Sequence, residues 1–181
     1  MKPSPIESWQ PSLFDANTSI AIDETWSDLT RIQLDPTSWV EHASGWVKGS
    51  DLLFDELLGS RDWGQRSRRM YDQRVLEPRL TAPWRLESGV PLQPPILEHM
   101  RSVLCNRYEV TFDPVGFNLY RNGNDSVAWH GDRIRKEIDE PIVALVSLGE
   151  PRRFLLRPVD GLMPKSRRRF SPVNSLRDRQ G

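Results

Sequence analysis

The stretch FNLYRNGNDSVAWHGDRI, from Phe117 to Ile134, limits what this chain can fold into more than any other part of it. It reads as strand, turn and strand. Gly116 to Arg121 forms the first strand, Asn122-Gly123-Asn124-Asp125 supplies turn chemistry, and Ser126 to His130 is extended again. Side chains two positions apart on a strand point to one face. His130 and Asp132 can therefore bring an imidazole and a carboxylate to one ion. Asn118 and Tyr120 form a second such pair, offering an amide and a phenol to a small acid.

At 181 residues the chain suits one domain with a real core. Its 25 lysines and arginines balance 25 aspartates and glutamates, so global charge predicts no polyanion partner, and nucleic-acid affinity has to come from local patches. Fifteen prolines and seven tryptophans suggest a loop-rich fold with amphipathic surfaces. The single cysteine, Cys105, cannot form an intramolecular disulfide. Neither a membrane span nor a signal peptide is legible, which sets the expectation of a cytoplasmic, soluble monomer.

Residues 1–36 are polar and broken, with short extended pieces at Ser19–Ile22 and Thr30–Leu34, and read as an arm. SDLLFDELL, from Ser50 to Leu58, predicts a helix capped by Ser50, stopped by Gly59 and buried along Leu53, Phe54, Leu57 and Leu58. A second helix opens at Pro94-Pro95 and runs to Tyr108. His99 within it, and His42 between Trp39 and Trp46, read as surface or packing residues. PIVALVS, from Pro141 to Ser147, predicts a strand buried on both faces, and Arg153–Arg157 a further strand. Helices followed by strands indicate an α+β fold. Between the helices, Arg61, Arg66, Arg68, Arg69, Arg74 and Arg79 interleave with Trp63, Tyr71 and Trp84. This region reads either as a solvated loop or as a nucleic-acid lid in which cations meet phosphates and rings stack on bases.

NLYRNGNDSVAWHGD, the downstream SLGEPRRFLLR and the upstream PRLTAPW together resemble the AlkB family of iron(II)- and 2-oxoglutarate-dependent dioxygenases, over roughly Trp39 to Pro158. The resemblance implies a double-stranded β-helix, or jelly-roll, with buttressing helices. It also implies that residues 37–158 form the domain, while composition makes 159–181 read as a basic, disordered tail. His130 and Asp132 match two iron ligands of a facial triad. Asn118 and Tyr120 match the 2-oxoglutarate contacts, and Arg79 and Trp84 fall where substrate is met. The implied reaction is oxidative dealkylation of a base in alkylated DNA or RNA, flipped out of its stack.

The pattern departs from the family downstream. No histidine follows His130, and the segment after Pro158 holds a basic cluster at Lys165, Arg167, Arg168 and Arg169 without strand alternation. The C-terminal strands, the distal histidine and the cosubstrate-binding arginine are not found, and the ending reads as truncated or frameshifted. The expectation is therefore an impaired, marginally stable enzyme. The alternatives are a non-catalytic nucleic-acid-binding remnant and a related oxygenase acting on protein or a small molecule.

Overall fold

A computed structural model describes residues 19–70, 72–130 and 141–156, the side chains of 68–70 excepted. Residues 1–18, the 131–140 segment with Asp132, Arg157 and the 159–181 tail lie outside it. The described chain forms two compact units, one within residues 57–142 and one made of residues 19–56 and 143–156.

In the second of these units β1 (Ala21–Ile22) pairs antiparallel with β4 (Val47–Lys48), and β2 (Leu29–Gln33) with β3 (Trp39–Ala43). Polar turns shape both connections. Asp23 accepts the backbone N–H groups of Thr25 and Ser27 at 2.9 and 3.0 Å, and Asp35 accepts those of Thr37 and Ser38 at 2.9 and 2.8 Å. Hydrogen bonds to the ionised form hold both carboxyls below the usual carboxylate range. Trp26 stacks on the buried Trp46 with ring centroids 5.2 Å apart.

Helix α1 (Ser50–Ser60) begins one residue earlier than a Ser50 cap requires. Gly49, at φ 63, accepts the Leu53 N–H through its carbonyl, so the glycine makes the left-handed entry and Ser50 lies inside the first turn. Gly59 does not stop the helix, because the Arg61 N–H still reaches the Leu57 carbonyl at 3.2 Å. The expected stripe is present: Leu53 and Leu57 are buried, Phe54 and Leu58 half-buried.

In the first unit β5 (Ser67–Met70) and β6 (Gln73–Leu76) form a hairpin from the arginine-rich stretch. β7 (Leu80–Trp84) pairs antiparallel with β8 (Val115–Leu119). Between them in sequence lies α2 (Pro95–Tyr108), whose Pro95 takes the first-turn position where a missing N–H does no harm. α2 buries Leu97 and Met100, which join Leu57, Ala82, Trp84, Leu92 and Leu119 as the apolar interior of this unit. Thr81 exchanges both backbone hydrogen bonds with Gly64, at 2.8 and 3.0 Å. Its amide and carbonyl therefore point away from β8, and Thr81 opposite Asn118 is a non-hydrogen-bonded pair of the ladder. Pro83, two residues on, presents its ring nitrogen to that same outer edge, so pairing there cannot continue.

Among the described residues the sheets are two-stranded and antiparallel, and with two helices this is α+β architecture. Two expected strands take no part in a ladder. Ser126–His130 is irregular, and so is Pro141–Ser147, where Val143 and Leu145 are exposed rather than buried. An apolar run becomes a buried strand only where a neighbour supplies hydrogen bonds and a covering face, and none of the described residues does so here. Of Arg153–Arg157, Phe154 holds a single bridge position and Leu155 and Leu156 are exposed. No described helix is long and apolar enough to cross a membrane.

Candidate functional site

β8 orders its side chains by simple alternation. Val115, Phe117 and Leu119 are partly or wholly buried, whereas Gly116 and Asn118 are exposed. The Asn118 amide thus stands out from a strand whose other residues hold it to the interior. Tyr120, immediately beyond the strand, is half-buried.

The turn after β8 is tied by an ion pair. Arg121 donates its backbone N–H and its Nε to Asp125 Oδ2, both at 2.8 Å, and its Nη2 to Oδ1 at 2.9 Å. Asp125 is only 4% exposed, so this bidentate pair also satisfies a carboxylate withdrawn from water. The bond to Asp125 pushes the Arg121 guanidinium above its ordinary pKa. Asn122 Oδ1 accepts the Asn124 N–H at 2.9 Å inside the loop, and the Ser126 N–H donates to the Pro78 carbonyl at 2.8 Å. Sequence reading assigned Asp125 to turn chemistry alone. The signal for its larger role was an arginine four residues upstream.

Beyond this anchor the backbone carries Trp129 and His130, both exposed. His130 Nδ1 lies 2.9 Å from the Ala128 carbonyl oxygen. With the ring proton on Nδ1, that contact is a hydrogen bond and the lone pair resides on Nε2, an arrangement common to metal-binding histidines. Asp132 lies outside the described residues, so the pairing of His130 with Asp132 rests on sequence. Among the described residues no group of three His, Cys, Asp or Glu side chains converges.

Arg79 and Trp84 occupy the two ends of the β7 segment with different environments. Arg79 pairs with Glu77 at 3.3 Å, with both side chains largely covered. Trp84 is buried and donates its indole N–H to the Val90 carbonyl at 2.8 Å. It lines an open cleft of ≈ 690 Å³ with Leu86, Val90, Leu92, Glu98 and His99. A bond from Arg101 holds the Glu98 carboxyl below its usual range. Asn118, Tyr120, His130 and Arg79 are not among the residues of this cleft. His42, on β3, has a buried Nε2 with no hydrogen-bond partner among the described residues.

No protein-family model matches the chain. Alpha-ketoglutarate-dependent dioxygenase alkB homolog 3 of Homo sapiens is 33% identical over 121 residues, covering 61% of this chain and 42% of the relative. The proteins of the same name from Bos taurus and Mus musculus are 32% and 31% identical over the same lengths, with the same shares covered. The chain thus spans about two fifths of the length of the curated relatives it matches.

Proposed function

We propose, from the premise that this chain is a relative of the AlkB family of dioxygenases, that it carries the proximal half of an iron(II) and 2-oxoglutarate site, directed at oxidative dealkylation of bases in alkylated DNA or RNA. The observation that carries this reading is His130, its Nδ1 against the Ala128 carbonyl, reached from an Asn-x-Tyr strand through the Arg121–Asp125 anchor. On this reading residues 37–158 belong to a jelly-roll domain, with the two helices as its buttress.

The donor set fits iron in kind. His130 would supply a neutral imidazole and Asp132 a carboxylate, both ordinary ligands of that metal. Asn118 would give its amide N–H groups, and Tyr120 its hydroxyl, to the cosubstrate's carboxylate and keto oxygens. Bound iron would let dioxygen act as the oxidant, with 2-oxoglutarate and the alkyl group each supplying two electrons. The chain's own part is to hold the imidazole by its second nitrogen, to fix the amide on a paired strand and to admit a flipped base. If His130 and Asp132 alone held the metal, iron would bind weakly and the proposed activity would be impaired.

The test uses the purified 181-residue protein with manganese(II) or iron(II) and 2-oxoglutarate, followed by ligand-observed NMR. Weak, metal-dependent 2-oxoglutarate binding that disappears in His130→Ala is expected. Metal-dependent binding left intact by that substitution would sink the site assignment. Turnover coupled to demethylation of a 1-methyladenine oligonucleotide would overturn the impairment.

A second reading is favoured by the β5–β6 hairpin, where Arg66 and Arg74 are exposed. A non-catalytic nucleic-acid-binding remnant would bind DNA with steep salt dependence and with indifference to iron and 2-oxoglutarate.

A further inference from the structure

Arg61 is an arginine in an unusual setting. Its Nε and Nη2 atoms are buried and have no hydrogen-bond partner among the described residues. Burial pulls its pKa below the ordinary value. A guanidinium partly withdrawn from water needs other groups to hold its charge. Two features do so. The residue directly follows α1, whose last turn carries no basic side chain, so the cation sits by the negative end of the helix dipole. Its guanidinium carbon also lies 4.2 Å from the centroid of the Phe117 ring.

The register of the β7–β8 ladder explains why that ring is available. Phe117 is opposite Ala82, the smallest residue of β7, so no bulky cross-strand neighbour covers it. On either side in β8, Leu119 is opposite Leu80 and Val115 opposite Trp84. Phe117 is thus the one position of this face that the ladder leaves uncovered, and the guanidinium takes that place. The next residue along is Asn118, whose own backbone groups point away from β7 because its partner Thr81 is bonded to Gly64. Asn118 therefore depends on its neighbours Phe117 and Leu119 for its placement.

We propose that Arg61 is a positioning residue that acts through Phe117: a cation held on the π face fixes the centre of β8 and so the outward aim of Asn118. The consequence for cosubstrate binding rests on the reading of Asn118 given above; the clamp itself does not.

The decisive experiment replaces the Phe117 ring, in the full chain, by mono-, di- and trifluorophenylalanine. Fluorination drains charge from the π face while keeping shape and increasing apolar character. Amide hydrogen exchange at Phe117 and Leu119 should quicken stepwise, by a total of between about twofold and thirtyfold, the range expected of a desolvated cation–π contact. Rates that stay level or slow along the series would show that the ring serves packing alone and would overturn the proposal. Arg61→Met should give the same acceleration and Arg61→Lys a smaller one. Equal acceleration in Met and Lys would also count against a charge-dependent clamp. In parallel, 2-oxoglutarate affinity should fall in step with exchange. Intact exchange trends with no cosubstrate binding by the unmodified protein would reject the site reading and leave the clamp standing.

Discussion

β8 and the run Pro141–Ser147 are made of similar material, and the more apolar of the two is the one left in water. VGFNL pairs along its whole length with β7 and brings Leu119 to 6% exposure. PIVALVS has no ladder among the described residues, and its Leu145 is 61% exposed. Burial thus follows from the presence of a partner strand rather than from hydropathy. β8 has β7 beside it, Arg61 on its ring and the Arg121–Asp125 pair closing the turn behind it.

The contrast is broken or sharpened first by truncating the same residue type in both places. Leu119→Ala should lower unfolding free energy by about 2–4 kcal/mol, the usual loss for a buried leucine. Leu145→Ala should change it by less than about 0.5 kcal/mol, as at an exposed site. Urea denaturation followed by circular dichroism reads both, and comparable losses would mean that the 141–147 run is covered in solution. Next in size is Asp125→Ala, which strands Arg121 and removes three hydrogen bonds. Arg121 retains some exposure, which moderates the loss to about 2 kcal/mol. The loss should shrink in the Arg121→Met background, where only the backbone N–H of residue 121 still reaches Asp125, because a double-mutant cycle isolates the side-chain coupling.

The smallest effect concerns acid. Asp23 and Asp35 have folded pKa values below the unfolded value of about 3.9. Such groups contribute stability that is present above the unfolded pKa and is lost as pH falls through the folded one. The unit holding these turns and the exposed 143–146 run should therefore loosen below about pH 4. The Trp26 indole resonance, next to the Asp23 turn, would report it, and Asp23→Asn should flatten the dependence. A pH-independent Trp26 signal in the unaltered protein would remove the carboxylates from the account.

The legible parts of the sequence were those whose structure is set locally. α2 follows from a proline pair and an apolar repeat, and β8 from alternation next to a turn. The α1 stripe was legible too, but its ends were not, because Gly49 rather than Ser50 makes the entry and Gly59 lies within the last turn. The β5–β6 hairpin was hidden because arginines carry no alternation of apolar character, and its strands are defined by their mutual register alone. The expected strands at 126–130 and 141–147 were read from composition, which cannot supply a partner. Of the candidate site, Asn118 and Tyr120 were singled out by spacing, whereas the Arg61 contact with Phe117 was not legible because it joins residues distant in sequence.

Pro83 has a bearing on how this chain keeps company with others. A lone antiparallel pair offers its outer backbone to any passing strand, and such edges are where proteins aggregate. Along β7 that outer edge is already taken at Thr81 by Gly64, and two residues further it meets a nitrogen with no hydrogen to give. That edge of β7 is thereby closed to further strand addition, so clumping between copies should begin at the bare apolar run of residues 143–146 rather than along β7.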